Sequence, residues 1–299
     1  MSTYKNKPVF WLFVAPCLFA FVMVMIIPFI LGVYYSFTDW NAVSMNINWV
    51  GISNYREVFS NPRFLHSFYI TTMYALLNIV AVNVVAFALA LLVTGKLKGA
   101  NFYRSGFFIP NLIGGLVLGF LWQFILNTVL PSTGSVMGIE WLRNLMPLAK
   151  PNQALGSIVV VSTWQYAGYI MMIYIAGIQN VSDSLLEAAQ IDGATYFQRL
   201  RHILFPMIAP AFTIASFLTL VNSFKQFDVN VSLTNGGPPK TFMDMTVNST
   251  DLLALNIYKE AFTYNRLYSA QARSVIFFIV LTGVSLIQVY FNKKREVEL

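Results

Sequence analysis

The sequence predicts an all-α polytopic membrane protein, and three observations carry that prediction. Of 299 residues, 57% are hydrophobic and 10% charged, against roughly 25% charged in an ordinary soluble domain. Six apolar runs are long enough to cross ~30 Å of hydrocarbon, which takes about 20 residues per helix. Five of the six contain no charged residue at all. β-barrel strands would be shorter and would alternate polar with apolar positions, which these runs do not.

The runs are expected at 9–31, 68–93, 106–129, 156–178, 208–232 and 274–291, in one domain spanning residues 1–299. The first follows Lys5 and Lys7, as a secretory signal would. At 23 residues it is long for a signal core and no small-x-small site follows it, so an uncleaved span is expected. The second carries Asn78 and Asn83 and the third Gln123, all expected to serve packing. The fourth places Ser162, Tyr166 and Tyr169 at i, i+4 and i+7. The fifth enters past Pro206 and Pro210, which disturb a helix start, and holds Thr219, Asn222, Ser223 and Gln226 largely on one side. Lys225 and Asp228 are the charged residues of that run, spaced i, i+3, and are expected to form a structural ion pair near its outer end. The sixth ends at Lys293, Lys294 and Arg295.

Basic residues orient the spans, because cytoplasmic loops hold the excess of Lys and Arg. With the N-terminus inside, ten lie in 57 inside loop residues: Lys5, Lys7, Lys96, Lys98, Arg104, Arg199, Arg201, Lys293, Lys294 and Arg295. Eight lie in 103 outside loop residues. Both termini and the 179–207 connection are therefore expected in the cytoplasm. The outside connections, of 36, 26 and 41 residues, are long enough to hold folded structure. The net charge of +7 is scattered along membrane boundaries rather than gathered into a nucleic-acid surface. Cys17 is the single cysteine, so no intrachain disulfide forms.

The cytoplasmic connection contains SDSLLEAAQIDGATYFQRLRHILFP. Ser184 and Glu187 have capping-box spacing, and Gly193 suits a left-handed helix end. A second helix is expected from Ala194 or Thr195, with Phe197, Leu200, Arg201 and Leu204 at helical spacing. The residues by themselves leave two readings open: an interfacial amphipathic hairpin covering helix ends, or a docking element.

The order E-A-A, D-G-A, an aromatic, then I-x-x-P resembles the EAA loop in permease subunits of binding-protein-dependent ABC importers. Here it falls on Glu187, Ala188, Ala189, Asp192, Gly193, Ala194, Phe197, Ile203 and Pro206. WVGISNYREVF, FFIPNLIGGLVLGFLW and SFKQFDVNVSLTNGGP are similar to the carbohydrate branch of that family, particularly the larger maltose-transporter permease, and the resemblance covers nearly the whole chain. Phe205 departs from it, standing where Leu is more usual. The resemblance implies a type I ABC importer permease fold in a prokaryotic plasma membrane. It implies a coupling helix at Glu187–Phe197 seated on a separate ATPase dimer, with Glu187 paired to a basic residue there. It further implies a second permease subunit, an extracytoplasmic solute-binding protein and a carbohydrate substrate, with ATP and Mg held by the ATPase and no cofactor in this chain.

Tyr166, Tyr169, Thr219, Asn222, Ser223 and Gln226 are the expected substrate contacts, Tyr169, Asn222, Ser223 and Gln226 foremost. Amides and hydroxyls bond sugar hydroxyls, and tyrosine rings stack on pyranose faces. Any one of them taken alone is better read as an interhelical hydrogen bond, and it is the cluster on two spans that points to a cavity. No G-x-x-x-x-G-K-[ST] occurs. His66 and His202 are expected on opposite sides of the membrane, and no nucleophile, base and acid set assembles, so neither a metal centre nor an enzyme is expected. A self-sufficient secondary transporter or channel is the alternative, disfavoured because Asp228 is the one acid within a span.

Overall fold

The structure is a computed structural model that describes residues 7–41, 47–95 and 97–294. Lys5, Lys96 and Arg295, which enter the orientation argument, lie outside the described residues. Contacts divide the chain into two compact units, Met1–Asn61 with Ile257–Phe278, and Pro62–Asn256 with Ile279–Leu299.

In the smaller unit the first span runs as Lys7–Phe21, a π turn at Val22–Ile26, and Ile27–Tyr35. The π turn has a local cause. Pro28 lacks an N–H and its ring would press on the Val24 carbonyl four residues back, so one wide turn absorbs the conflict. The same arrangement recurs at Ile125–Val129 before Pro131 and at Leu200–Leu204 before Pro206. After the first span, the WVGISNY motif explains itself through Asn54. Its buried amide donates to the Ser36 and Thr38 carbonyls, both at 2.8 Å, and Tyr55 Oη meets Ser36 Oγ at 2.6 Å. Phe37 stacks on Trp49 and Tyr35 on Trp40 over this turn. Asp39 accepts from both the backbone and side-chain nitrogens of Asn48, and those bonds hold its carboxyl below the ordinary range.

The larger unit is built on Pro62–Thr94 and Pro151–Gln179, with Ala209–Phe224 packed against both. Val82, Ala86, Ala90, Met171 and Tyr174 form the middle of its core and are essentially inaccessible. Small residues permit the closest approaches. A Cβ at Gly168 would land on the Phe107 carbonyl oxygen. Gly168→Ala is accordingly expected to destabilise by about 1–3 kcal/mol or more, lowering the melting temperature of the detergent-purified chain. Gly156→Ala on the same helix meets nothing within 4 Å and should be neutral or slightly stabilising.

Two expected spans are corrected. The third does not run from 106 to 129: Ala100–Phe108 and a 3₁₀ turn at Ile109–Leu112 end at extended Ile113 and Gly114, and the long helix covers Gly115–Met137. Apolarity persists through the break, so hydropathy does not register it. The fifth is bent by 71° at Ile208 and stops at Phe224, with Asp228–Leu233 a separate short helix. The remaining spans extend past their apolar runs, as Pro62–Thr94, Pro151–Gln179 and Leu267–Lys293. Beyond them, β1 (Pro239–Phe242) and β2 (Met245–Asn248) form an antiparallel hairpin. Its turn residues Met243 and Asp244 both have positive φ, as a tight two-residue hairpin turn requires.

Candidate translocation pocket and coupling surface

Six of the side chains lining one polar pocket of about 220 Å³ are Gln165 and Tyr166 of the fourth span, Asn222 of the fifth, and Lys225, Gln226 and Asp228 just beyond it. Three expected contacts, Tyr166, Asn222 and Gln226, thus come together. The break after Phe224 makes this possible, since Gln226 turns back so that its amide donates to Ser162 Oγ at 3.1 Å.

Thr219 and Ser223 are placed elsewhere. Both are buried, and both are engaged by the second span: Asn78 Nδ2 donates to Ser223 Oγ at 2.9 Å and Asn83 Nδ2 to Thr219 Oγ1 at 3.3 Å. Tyr174 Oη completes the network on Asn83 Oδ1 at 2.6 Å. These bonds hold three helices together, which is the interhelical role such groups commonly have in membranes. Tyr169 lines a different, apolar cleft of about 650 Å³ with Phe108, Met172, Pro210 and Ile214.

The expected ion pair of Lys225 and Asp228 is also corrected. The helix ends at Phe224 and restarts at Asp228, so the two are not one turn apart, and no ion pair joins them among the described residues. Both side chains are exposed and line the pocket instead. Sequence reasoning passed over Gln165 altogether, although it follows Trp164 directly and precedes Tyr166. Its position on the opposite flank of the Tyr166 turn was the available signal.

The 179–207 connection folds as Asp183–Ile191 and Tyr196–Arg199. The capping box expected at Ser184 and Glu187 does not form there. Ser182 occupies the N-cap and its hydroxyl meets Ser184 Oγ at 2.7 Å rather than the backbone. The box stands one helix later, where Thr195 Oγ1 accepts from Gln198 N and the Gln198 side chain accepts from Thr195 N. Glu187 is therefore exposed, with no hydrogen bond or ion pair among the described residues.

Between the two helices Gly193 has φ +83°. Ala194 N donates to Ala189 O at 2.9 Å and Gly193 N to Gln190 O at 3.1 Å, which is the Schellman closure. Arg199 then donates to Gln190 Oε1 at 3.2 Å. Leu186 and Leu200 pack inward on the core cluster to which Val181 and Leu204 belong, while Ile191 and Phe197 are 87% and 77% exposed. A cleft of about 360 Å³ lies between the helices, walled by Leu185, Ala188, Ala189 and Pro206, with Asp192 and His202 also on it. The hairpin is a fixed body that presents Glu187, Asp192 and uncovered apolar side chains.

The probable starch degradation products transport system permease protein AmyD of Thermoanaerobacterium thermosulfurigenes is 44% identical over 99% of this chain and 98% of its own. The multiple sugar-binding transport system permease protein MsmF of Streptococcus mutans is 32% identical over 98% of each. A bacterial ABC transporter involved in importing the acidic polysaccharide alginate superposes with a TM-score of 0.80 at 18% identity, over 97% of this chain and 96% of the matched one, which establishes the type I ABC importer permease fold. The family model for binding-protein-dependent transport system inner membrane components matches residues 7–297, and the chain belongs to that family of ABC transporter permeases.

Proposed function

We propose that this chain is one permease subunit of an ATP-driven importer for a neutral oligosaccharide of the kind starch breakdown yields. The hairpin carries the reading. Ile191 and Phe197 lie uncovered beside Glu187 on a body rigidified by a Schellman closure and a capping box, and exposed apolar groups of this kind mark a docking surface. A separate ATPase dimer, holding ATP and Mg, seats this coupling helix on the cytoplasmic side, where both termini also lie. Glu187, Ala188, Ala189, Asp192, Gly193, Ala194 and Phe197 make the contact.

A second permease closes the other side of the pathway, and an extracytoplasmic binding protein delivers sugar to it. Tyr166, Asn222 and Gln226 supply a ring face and amides on this chain's side of the pocket, groups that suit uncharged hydroxyls and pyranose faces. ATP closes the ATPase dimer, the hairpins move together, and the cavity turns outward to accept sugar before hydrolysis resets it. The names of the AmyD and MsmF relatives support a sugar and an oligosaccharide in particular.

Proteoliposomes holding the assembled transporter are expected to accumulate maltotriose only when ATP is inside and binding protein outside. Accumulation without ATP would overturn the reading in favour of a self-sufficient carrier.

A further inference from the structure

Resting on the oligosaccharide reading, we infer that Asp228 sets the charge selectivity of the pocket, holding it to neutral sugars by balancing Lys225. Had the fifth helix continued, these two side chains would have met one turn apart and neutralised each other within the wall. The break at Lys225 to Phe227 prevents that, and each presents its charge to the pocket.

Asp228 is seated firmly. A Cβ at position 115 would lie 2.7 Å from the Asp228 Cβ, so only a bare glycine lets the Gly115–Phe124 helix start against it. Ser232 Oγ donates to the Asp228 carbonyl at 2.8 Å and fixes the turn that aims the side chain. Opposite, Gln165 is 5% exposed, and its amide nitrogen donates to Ile113 O at 3.2 Å. That bond leaves Oε1 as the free end, buried with no partner.

The pocket thus offers an acceptor at Asp228 and a donor at Lys225, with no net charge. Hydroxyl groups satisfy both. An anionic sugar in the pocket meets the Asp228 carboxylate, which repels it. The same fold serves an importer of acidic alginate, so the fold itself does not fix substrate charge and individual pocket residues must.

The test is equilibrium dialysis of labelled maltotriose and of trigalacturonate against the purified transporter complex without binding protein. Wild type is expected to prefer maltotriose by ~10-fold or more, Asp228→Asn to lose that preference, and Asp228→Glu to keep it. The Asp228→Asn effect should shrink in 1 M salt, where screening is nearly complete beyond ~3 Å. A structural role for Asp228 would change affinity for both sugars alike and leave their ratio untouched. Asp228→Asn with the wild-type ratio, in a complex recovered with the same subunits, overturns the inference alone. Wild type that binds neither sugar, or favours trigalacturonate, overturns the neutral-oligosaccharide reading and the inference with it.

Discussion

Glu187→Arg is expected to abolish most ATP-dependent uptake while leaving the chain folded. The carboxylate is exposed and bonds nothing among the described residues, so its replacement removes no hydrogen bond or ion pair there. At the proposed ATPase contact the same change sets like charge against the basic residue that the resemblance implies there. Losing a desolvated interfacial pair costs about 2–5 kcal/mol, a drop of roughly 30-fold or more in assembled transporter. Uptake into proteoliposomes and recovery of the ATPase on the tagged chain should fall together, with the melting temperature unchanged. Gly193→Pro should match it by a different route. Proline fixes φ near −65°, and Gly193 stands at +83°, so the closure that orders the hairpin is lost. A transporter that tolerates both variants would deny the hairpin any coupling role.

Arg273→Met is expected to be among the most destabilising single changes in the chain. Arg273 is 1% exposed and its Nη2 lies 3.0 Å from Glu260 Oε2, with Glu260 itself buried. Arg266 Nη1 is 3.6 Å from the other Glu260 oxygen and 3.1 Å from Glu57, but its exposure weakens what it can offer. Removing Arg273 leaves a buried carboxylate without its close partner, which costs about 3–5 kcal/mol. Arg273→Met combined with Glu260→Leu should recover much of the loss, because it is the unpaired charge that destabilises. Thermal unfolding of the purified single and double variants measures this directly. Arg266→Met, at a half-exposed pair, should cost no more than about 1 kcal/mol.

The apolar runs disclosed the membrane class and the neighbourhood of every long helix, because burial in lipid demands an unbroken stretch that composition displays. They did not disclose where helices break. Ile113 and Gly114 interrupt the third span within an apolar sequence, and Lys225 to Phe227 interrupt the fifth without proline or glycine. That second break is accompanied by Gln226 bonding Ser162, a partner 64 residues away, and nothing local announces it. Pro206, read as disturbing the start of the fifth span, does sit just past a π turn, as the unread Pro28 and Pro131 also do.

The pocket was legible only in part, for the same reason. Tyr166, Asn222 and Gln226 were identified by polarity on a helix face, and they do converge. Thr219 and Ser223 share that polarity, yet Asn83 and Asn78 engage them across 136 and 145 residues. A single sequence does not reveal which polar groups find partners within the chain. In the hairpin, S-x-x-E pointed to Ser184 and T-x-x-Q went unread, although Thr195 and Gln198 hold the reciprocal bonds. Local spacing names the possible caps, and the entry direction of the chain chooses among them.

Under the proposed function, this chain works only with a separate ATPase docked on its hairpin. The direct test is to purify the tagged chain in mild detergent from its native membranes and identify by mass spectrometry what accompanies it. A second six-span protein and a nucleotide-binding protein are expected, with the nucleotide-binding protein lost in Glu187→Arg. Recovery of this chain alone, still moving sugar into liposomes without ATP, would overturn that dependence.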